Sequence, residues 1–395
     1  MNKIQNKLLL AFILISLIPL VILGGYGILT ISNSLRTNSI NKIQDKAAVI
    51  SLEIEDFLKN VSSDLFYLRD SVNLQTLISE KTENNEEKSE ILEKIKQDFL
   101  AFSKHKNIYN QIRFLDPDGM EVVRVDRNNG KSKIIPIEKL QNKKSRYYFA
   151  DTAKLAYGKL MISPLDLNRE HGKVEKPLRP VIRYGTPIYD QQKNFRGIVL
   201  LNVQAENFLN LLKQKGTNTE QMMFIDNKGF YYYHPDPNKT WGSPRDLNTG
   251  YSFSKDYPET YAQVANSEIP VSVTQKNHLF ATAPVFVGIG GNMKKLGTII
   301  DVIQTNEVFK SVTKFRNIFL LIGIVVFFAT LLLAIGMARS ITQPLIYLTE
   351  ATTKMSKGKL KSTISVDTND ETKMLADSIE RLRKSMLILM KRIQK

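Results

Sequence analysis

Two long stretches without a charged side chain constrain this chain more than any other feature. No Asp, Glu, Lys or Arg occurs between Lys7 and Arg36, a gap of 28 residues, nor between Arg316 and Arg339, a gap of 22. Roughly 20 apolar residues in a helix cross the hydrocarbon core of a bilayer, so each gap is long enough to span one. The first reads LLLAFILISLIPLVILGGYGILTI over residues 8–31. Its Pro19 and its Gly24-Gly25-Tyr26-Gly27 run are tolerated in a membrane helix. A cleaved signal peptide would have an apolar core of only about 7–15 residues and a small-residue cleavage site. This run is longer and no such site follows, so it is expected to stay. The second run, NIFLLIGIVVFFATLLLAIGMA over residues 317–338, contains no proline.

The spans divide the 395 residues into a tail (1–7), a long intervening segment (32–316) and a final 57 residues (339–395). The tail carries Lys3 and Lys7 and no acid, which favours a cytoplasmic start. The flanks Arg36, Lys42, Lys46, Lys310, Lys314 and Arg316 point the other way, but a long segment crosses regardless of its charge. Residues 32–316 are therefore expected outside the cell membrane. The net charge of +16 would otherwise invite a nucleic-acid reading. Beside two spans, basic residues near anionic lipid explain it instead, and no nucleic-acid partner is expected. With no Cys and 4 His, the chain has no disulfides, thiolate metal sites or cysteine chemistry.

The outer segment reads as α+β. Over residues 35–77 a stripe of Ile40, Ile43, Ala47, Ile50, Ile54, Phe57 and Val61 recurs at alternating spacings of 3 and 4, a helical seam. It suits either a dimer stalk or a helix packed on its own domain. Residues 80–96 are charge-rich and read as a solvated loop and helix. From Gln111 the period becomes two. Gln111–Asp116 and Met120–Asp126 read as strands joined by Pro117-Asp118-Gly119. Further strands fit 158–163, 181–189 and 195–203, followed by a helix at 205–213. The pattern then restarts: Met222–Asp226, a turn at Asn227-Lys228-Gly229, Phe230–Tyr233, and strands at 279–287 and 296–303. Two similar units are expected, a distal module at about 80–204 and a smaller proximal one at about 217–312.

This order, with FLDPDGMEVVRVD (114–126), SRYYF (145–149), SPLDLN (163–168), PVIRYGTPIYD (180–190), FRGIVLLNV (195–203) and FIDNKGFYYYHPDPNKTWG (224–242), resembles the double Cache domain of bacterial receptors, whose modules are PAS-like antiparallel sheets flanked by helices. The resemblance implies a ligand site in the distal module. The amino-acid-binding members carry an R-x-W-Y run and a strand Asp. Here Arg146 matches, Trp becomes Tyr148, Tyr becomes Phe149, and the Asp position falls on Asn202. A neutral amide holds an ammonium group more weakly than a carboxylate does, so an ordinary amino acid is disfavoured. Arg146, Tyr148, Arg183 and Tyr184, with Asp166, Asn168 and Asn202, then suit a small carboxylate, which arginine pairs bidentately. Alternatively Arg146 and Arg183 are structural, paired with Asp151 or Asp166.

Catalysis in this segment has little support. His171 and Glu175 lie four apart, but Gly172 and Pro177 argue for a loop, and no third ligand is suitably spaced. Among His105, His234 and His278 there is no cluster. No nucleophile elbow or phosphate-binding glycine loop occurs. No metal or cofactor is expected.

After the second span, Ile341, Leu345, Leu348, Thr352 and Met355 form one heptad stripe; Leu375, Ile379, Leu382, Met386, Leu389 and Ile393 form another. With Arg339, Pro344-Leu345, Gly358-x-Leu360 and Asp370-Glu371, residues 338–389 resemble a HAMP domain, a helical coiled coil that relays packing changes. That implies signal-relay roles for Pro344, Gly358, Asp370 and Glu371. The usual D-E-I-G-x-L-A reads here Asp370-Glu371-Thr372-Lys373-Met374-Leu375-Ala376. Two short amphipathic helices cannot bury their stripes alone, so a homodimer is expected. No kinase or cyclase domain fits in 57 residues. The expectation is a receptor, not itself an enzyme, that meets a small molecule or a periplasmic binding protein outside and a separate cytoplasmic output protein inside. A scaffold without a switch, or part of a longer kinase or cyclase, are the alternatives.

Overall fold

The computed structural model describes residues 3–79, 84–170, 172–217, 219–290 and 293–393. They form two compact units. Thr37–Phe309 is the first; Met1–Arg36 together with Lys310–Lys395 is the second. The pair His171 and Glu175 is half outside the described residues, because His171 is not among them.

Helix α1 (Lys3–Arg69) is continuous through the first apolar run and into the segment between the two runs. The heptad stripe is spent on its own unit. Ile50, Ile54, Leu58, Val61, Leu65 and Leu68 are all at most 2% exposed and sit in one core with the distal sheet. Burying each such side chain stabilises by about 2 kcal/mol. Of the two readings of the stripe, internal packing is the one realised in a single chain. The expected helix over 35–77 is also interrupted. Arg69 forks onto Asp70 with 2.7 and 2.6 Å hydrogen bonds, Gln75 donates to the Arg69 carbonyl, and α2 (Val72–Ile78) starts afresh. Side chains, rather than a proline, take the orphaned groups of the helix end. Helix α3 (Asn85–His105) is capped by Asn84, whose side chain accepts from the Glu86 amide. Its Ile91, Ile95 and Phe99 enter the same core.

The distal sheet follows: β1 (Tyr109–Leu115), β2 (Glu121–Asn128), β3 (Lys131–Ile134), helix α4 (Tyr147–Ala153), the short β4 (Met161–Ile162), β5 (Asp166–Leu167), β6 (Arg169–Glu170) and β7 (Lys173–Val174), then β8 (Pro180–Tyr189), β9 (Phe195–Gln204) and α5 (Glu206–Lys215). The order across the sheet is β3-β2-β1-β9-β8-β4, with β5 also on β8. The expected strand at 158–163 shrinks to two residues, because Gly158 takes a left-handed φ of +77° and turns the chain.

The proximal module repeats the plan: β10 (Glu220–Ile225), β11 (Tyr231–Tyr233), α6 (Phe253–Asp256), α7 (Pro258–Val264), β12 (Val271–Gln275), β13 (His278–Val287), β14 (Lys294–Gln304) and α8 (Thr305–Val308), with sheet order β11-β10-β14-β13-β12. The repetition reaches single atoms. Asp116 Oδ1 accepts from the amides of Asp118 and Met120 at 2.9 Å each; Asp226 Oδ1 accepts from Lys228 and Phe230 at 2.8 Å each. Each hairpin has a bulge at the same place, Phe114/Leu115 and Phe224/Ile225. A glycine in the neighbouring strand lies beneath it: a Cβ on Gly197 would strike the Leu115 carbonyl, and one on Gly297 the Ile225 carbonyl.

In the other unit, α9 (Lys310–Ser356) carries the second apolar run and continues past Pro344, and α10 (Glu371–Ile393) follows a non-helical connector. Both α1 and α9 are long and apolar enough to cross a membrane.

Candidate functional site

The register of the distal sheet sorts its side chains onto two faces. Directly paired residues share a face and alternate residues along a strand do likewise. Arg183 pairs with Asn202, Asn202 with Gln111, Gln111 with Asp126, and Arg113 with Arg124. These therefore point together, away from α1. Tyr184 is the correction to the expected site. One residue on from Arg183, it faces the α1 side, is fully buried in the main core, and among the described residues its hydroxyl has no partner.

The polar face is an interlocked ionic layer. Asn202 donates to Gln111 Oε1 at 2.9 Å and accepts from Arg113 Nη2 at 2.8 Å. Arg113 Nη1 reaches Glu121 at 3.4 Å and the Tyr148 hydroxyl at 3.3 Å. Arg124 forks onto Asp126 with two 2.7 Å bonds and donates to Glu170 at 3.2 Å. Arg183 Nη1 donates to Asp166 Oδ1 at 2.6 Å and Nη2 to Asn168 at 3.2 Å. Arg113, Arg124 and Arg183 are each at most 7% exposed. Three buried guanidinium groups are tolerable only because each meets an acceptor. Of these three groups, among the described residues, the Arg113 Nε is buried without one.

Tyr148 is the hub. The guanidinium groups of Arg113, Arg146 and Arg183 lie 5.4, 5.8 and 5.6 Å from its ring centre, within cation–π range. Burial pushes its phenol up, but Arg113, Lys143 and Arg183 outweigh that and leave its pKa below the ordinary value. For Glu170, burial likewise raises the carboxyl and Arg124 overrides it downward. Lys143, buried on the same face, is lowered by desolvation.

Above this layer opens a cavity of about 700 Å³, a size suited to a small molecule. Arg146 and Tyr147, at the start of α4, line it with Asp166 and Arg183. So Arg146, Asp166 and Arg183 share the cavity wall; Tyr148 lies against the guanidinium groups of Arg146 and Arg183; Asn202 is in the layer beneath, with its amide engaged at both ends. Arg183 is committed to Asp166, which realises the structural alternative for that residue. Arg146 is different: among the described residues its guanidinium has no hydrogen bond or ion pair. Sequence reasoning missed Arg113, Arg124, Glu121, Gln111 and Glu170. The available signal was the period of two in QIRFL and VVRVD, which puts Gln111, Arg113, Arg124 and Asp126 on one side.

In the helical unit, Gly358 takes a φ of +77° just after α9, and Asp370 accepts from the Thr372 amide at 3.0 Å to cap α10, which Glu371 opens. Pro344 lies inside an unbroken helix. The connector is held by a pair not anticipated: Glu380 accepts from the Ile364 amide at 2.9 Å, and Arg383 donates to the Leu360 carbonyl at 2.5 Å. Leu348, Met355, Leu360, Ile364 and Ala376 form the small core.

The family model for the sensor domain of bacterial histidine kinases matches residues 37–289, and the HAMP domain model matches residues 336–387. The extracellular domain of vpHK1S-Z8, assigned as a histidine kinase, aligns with a TM-score of 0.57 at 21% identity, over 71% of this chain and 95% of that one. A domain of a sensory box/GGDEF family protein from Vibrio parahaemolyticus gives 0.57 at 22%, over 70% and 99%. The sensory domain of the Campylobacter jejuni chemoreceptor Tlp3 gives 0.50 at 15%, over 71% and 98%. At these identities the likeness is one of fold. No curated protein matches.

Proposed function

The chain belongs to the bacterial histidine kinase sensor-domain family and is a membrane signalling receptor with a HAMP domain, and from that premise we propose that its distal module senses a small carboxylate outside the inner membrane. The observation that carries this is Arg146: a guanidinium without an ion pair among the described residues, on the wall of a 700 Å³ cavity. A carboxylate is the planar anion that such a fork pairs bidentately. Asn202 is fully buried and its carbonyl oxygen already accepts from the cationic Arg113 guanidinium, which repels an ammonium ion and favours an acid over an amino acid.

The receptor acts as a homodimer. In one chain Leu375, Leu382 and Leu389 of the α10 stripe are 45%, 56% and 56% exposed, and a second copy covers them. Ligand favours one of two packings of these helices, because it binds the two states unequally. The chemistry of output belongs to a further domain or a separate protein, not to the sensor or HAMP.

The test is the thermal stability of the full chain in detergent against a panel of mono- and dicarboxylates. An acid at about 100 times its dissociation constant adds about 2.7 kcal/mol. The reading stands if one acid stabilises the wild type and Arg146→Ala removes the shift. It fails if no acid does so, and the outer unit then meets a protein instead.

A further inference from the structure

The 700 Å³ cavity is not walled by the distal module alone. Arg245 and Lys294, both from the proximal module, complete it. Three contacts lock that module's edge to the distal one. Asp246 Oδ1 accepts from the Leu167 amide at 2.9 Å, Arg169 Nη2 donates to the Arg245 carbonyl at 2.6 Å, and Lys294 donates to the Ile162 carbonyl. Leu167 directly follows Asp166, the partner of Arg183. The backbone that carries the ligand wall is therefore the backbone that the proximal loop grips.

The charges around this seam do not cancel. Asp166 balances Arg183, and Asp151 on the same wall offsets Lys294. Among the described residues the guanidinium of Arg245, like that of Arg146, makes no hydrogen bond or ion pair. Among the described residues, Arg169 donates to the carbonyls of Gly172 and Arg245. Two guanidinium groups without a hydrogen bond or ion pair of their own among the described residues, one from each module, thus share a single cavity, with Asp226 and Asp246 within electrostatic reach of Arg245.

Resting on the carboxylate reading above, we infer that the cavity is a clamp for a dianionic small molecule, one anionic group held by Arg146 of the distal module and the other by Arg245 of the proximal module. Each guanidinium offers a bidentate fork, and an anion between them relieves the repulsion of two like charges in one cleft. Binding then ties the modules together at the seam where Asp246 and Arg169 already join them. The proximal module, whose last strand leads into α8 and α9, feels the ligand directly rather than through the distal sheet.

The experiment titrates the full chain with paired acids of equal length, malonate, succinate and glutarate against propionate, butyrate and valerate, in wild type, Arg146→Ala and Arg245→Ala. Arg245 is exposed, so its substitution leaves the fold intact. The expected result is a wild-type preference for one diacid over its monoacid of about tenfold, the worth of one charge-assisted pair. Arg245→Ala abolishes that preference while monoacid affinity stays the same, and Arg146→Ala weakens both. A diacid preference that survives Arg245→Ala, or its absence in wild type while monoacids still bind, overturns the clamp and leaves the Arg146 site standing. If no acid of either series binds wild type, both readings fall together.

Discussion

Asp301 gives the sharpest test of how the proximal module holds the long helix. It lies in β14 on the face turned to α1, with a side chain of 0% exposure and, among the described residues, no hydrogen bond to either carboxylate oxygen. The charged groups facing it are Lys46 of α1, 3.6 Å away, and Glu220 of β10, which Lys46 also engages. Burial pushes the Asp301 carboxyl up to about 6 from an ordinary 3.8, with Lys46 only partly opposing. That difference corresponds to about 3 kcal/mol. The sign follows from proton binding. Below pH 3.8 the folded and unfolded chains both hold the proton and nothing is lost. Between there and about 6 the folded chain keeps a proton that the unfolded chain releases, so stability falls as pH rises. Above 6 the full cost of the buried charge is present. Asp301→Asn mimics the protonated form at every pH. It should match wild type near pH 4 and exceed it at pH 8 by about 3 kcal/mol. For a sensor unit of about 270 residues that raises the unfolding midpoint by roughly 5 °C. The chain has one tryptophan, Trp241, buried in the same module, so its fluorescence reads this transition. Parallel wild-type and Asp301→Asn profiles from pH 4 to 8, or a less stable variant at pH 8, would refute the reasoning.

Other outcomes follow from the same geometry. Asp166→Asn strands the buried Arg183 charge and should destabilise the sensor unit by about 3–5 kcal/mol, read as a lower midpoint of thermal unfolding. Gly197→Ala places a Cβ against the Leu115 carbonyl at a φ of +125°, so it should lower that midpoint too, whereas Gly130→Ala, with open space around it, suffers only the strain of its positive φ and should cost less. In the helical unit, the Arg383 hydrogen bond, helped by the Ile364 amide, pulls the Glu380 carboxyl down to about 2. Its contribution is present above 4.5 and disappears as pH falls towards 2. Glu380→Gln should therefore flatten that acid limb in helix content followed by circular dichroism, and a variant curve as steep as wild type would contradict the assignment.

Much of the architecture was open to reading from residue order. The two uncharged runs, the change of period at Gln111, the repeated Asp-x-x-Gly turns and the two inner stripes each depend on contacts within a few residues, and local chemistry decides them. That is why the hairpins at Asp116 and Asp226 appear where their turn residues put them. The HAMP connector was partly legible for the same reason: Gly358 and Asp370 act through their own backbone and the next two residues. The Glu380–Arg383 clamp was not, because it reaches 16 and 23 residues back to Ile364 and Leu360.

The site was less accessible, and three residues show why. Arg183 and Tyr184 are neighbours in sequence, yet pairing with Asn202 sends one to the cavity side and the other into the core. Such an assignment needs the register, which a one-residue slip would invert. Arg146 was visible in its run of aromatics, but whether it was free or paired depended on where Asp151 and Asp166 fell in space. Arg245 lies 99 positions further along the chain, and nothing near it in sequence marks it as part of a ligand wall. The sequence alone determined two apolar runs long enough to cross a membrane, a doubled sheet module between them and two amphipathic helices after them, because periodicity and turn chemistry are local. Only the tertiary structure decided which arginines are ion-paired within the protein, as Arg183 is with Asp166, and that Arg146 and Arg245 meet at one cavity wall, because ion pairing is settled by distances across strands and loops far apart in the chain.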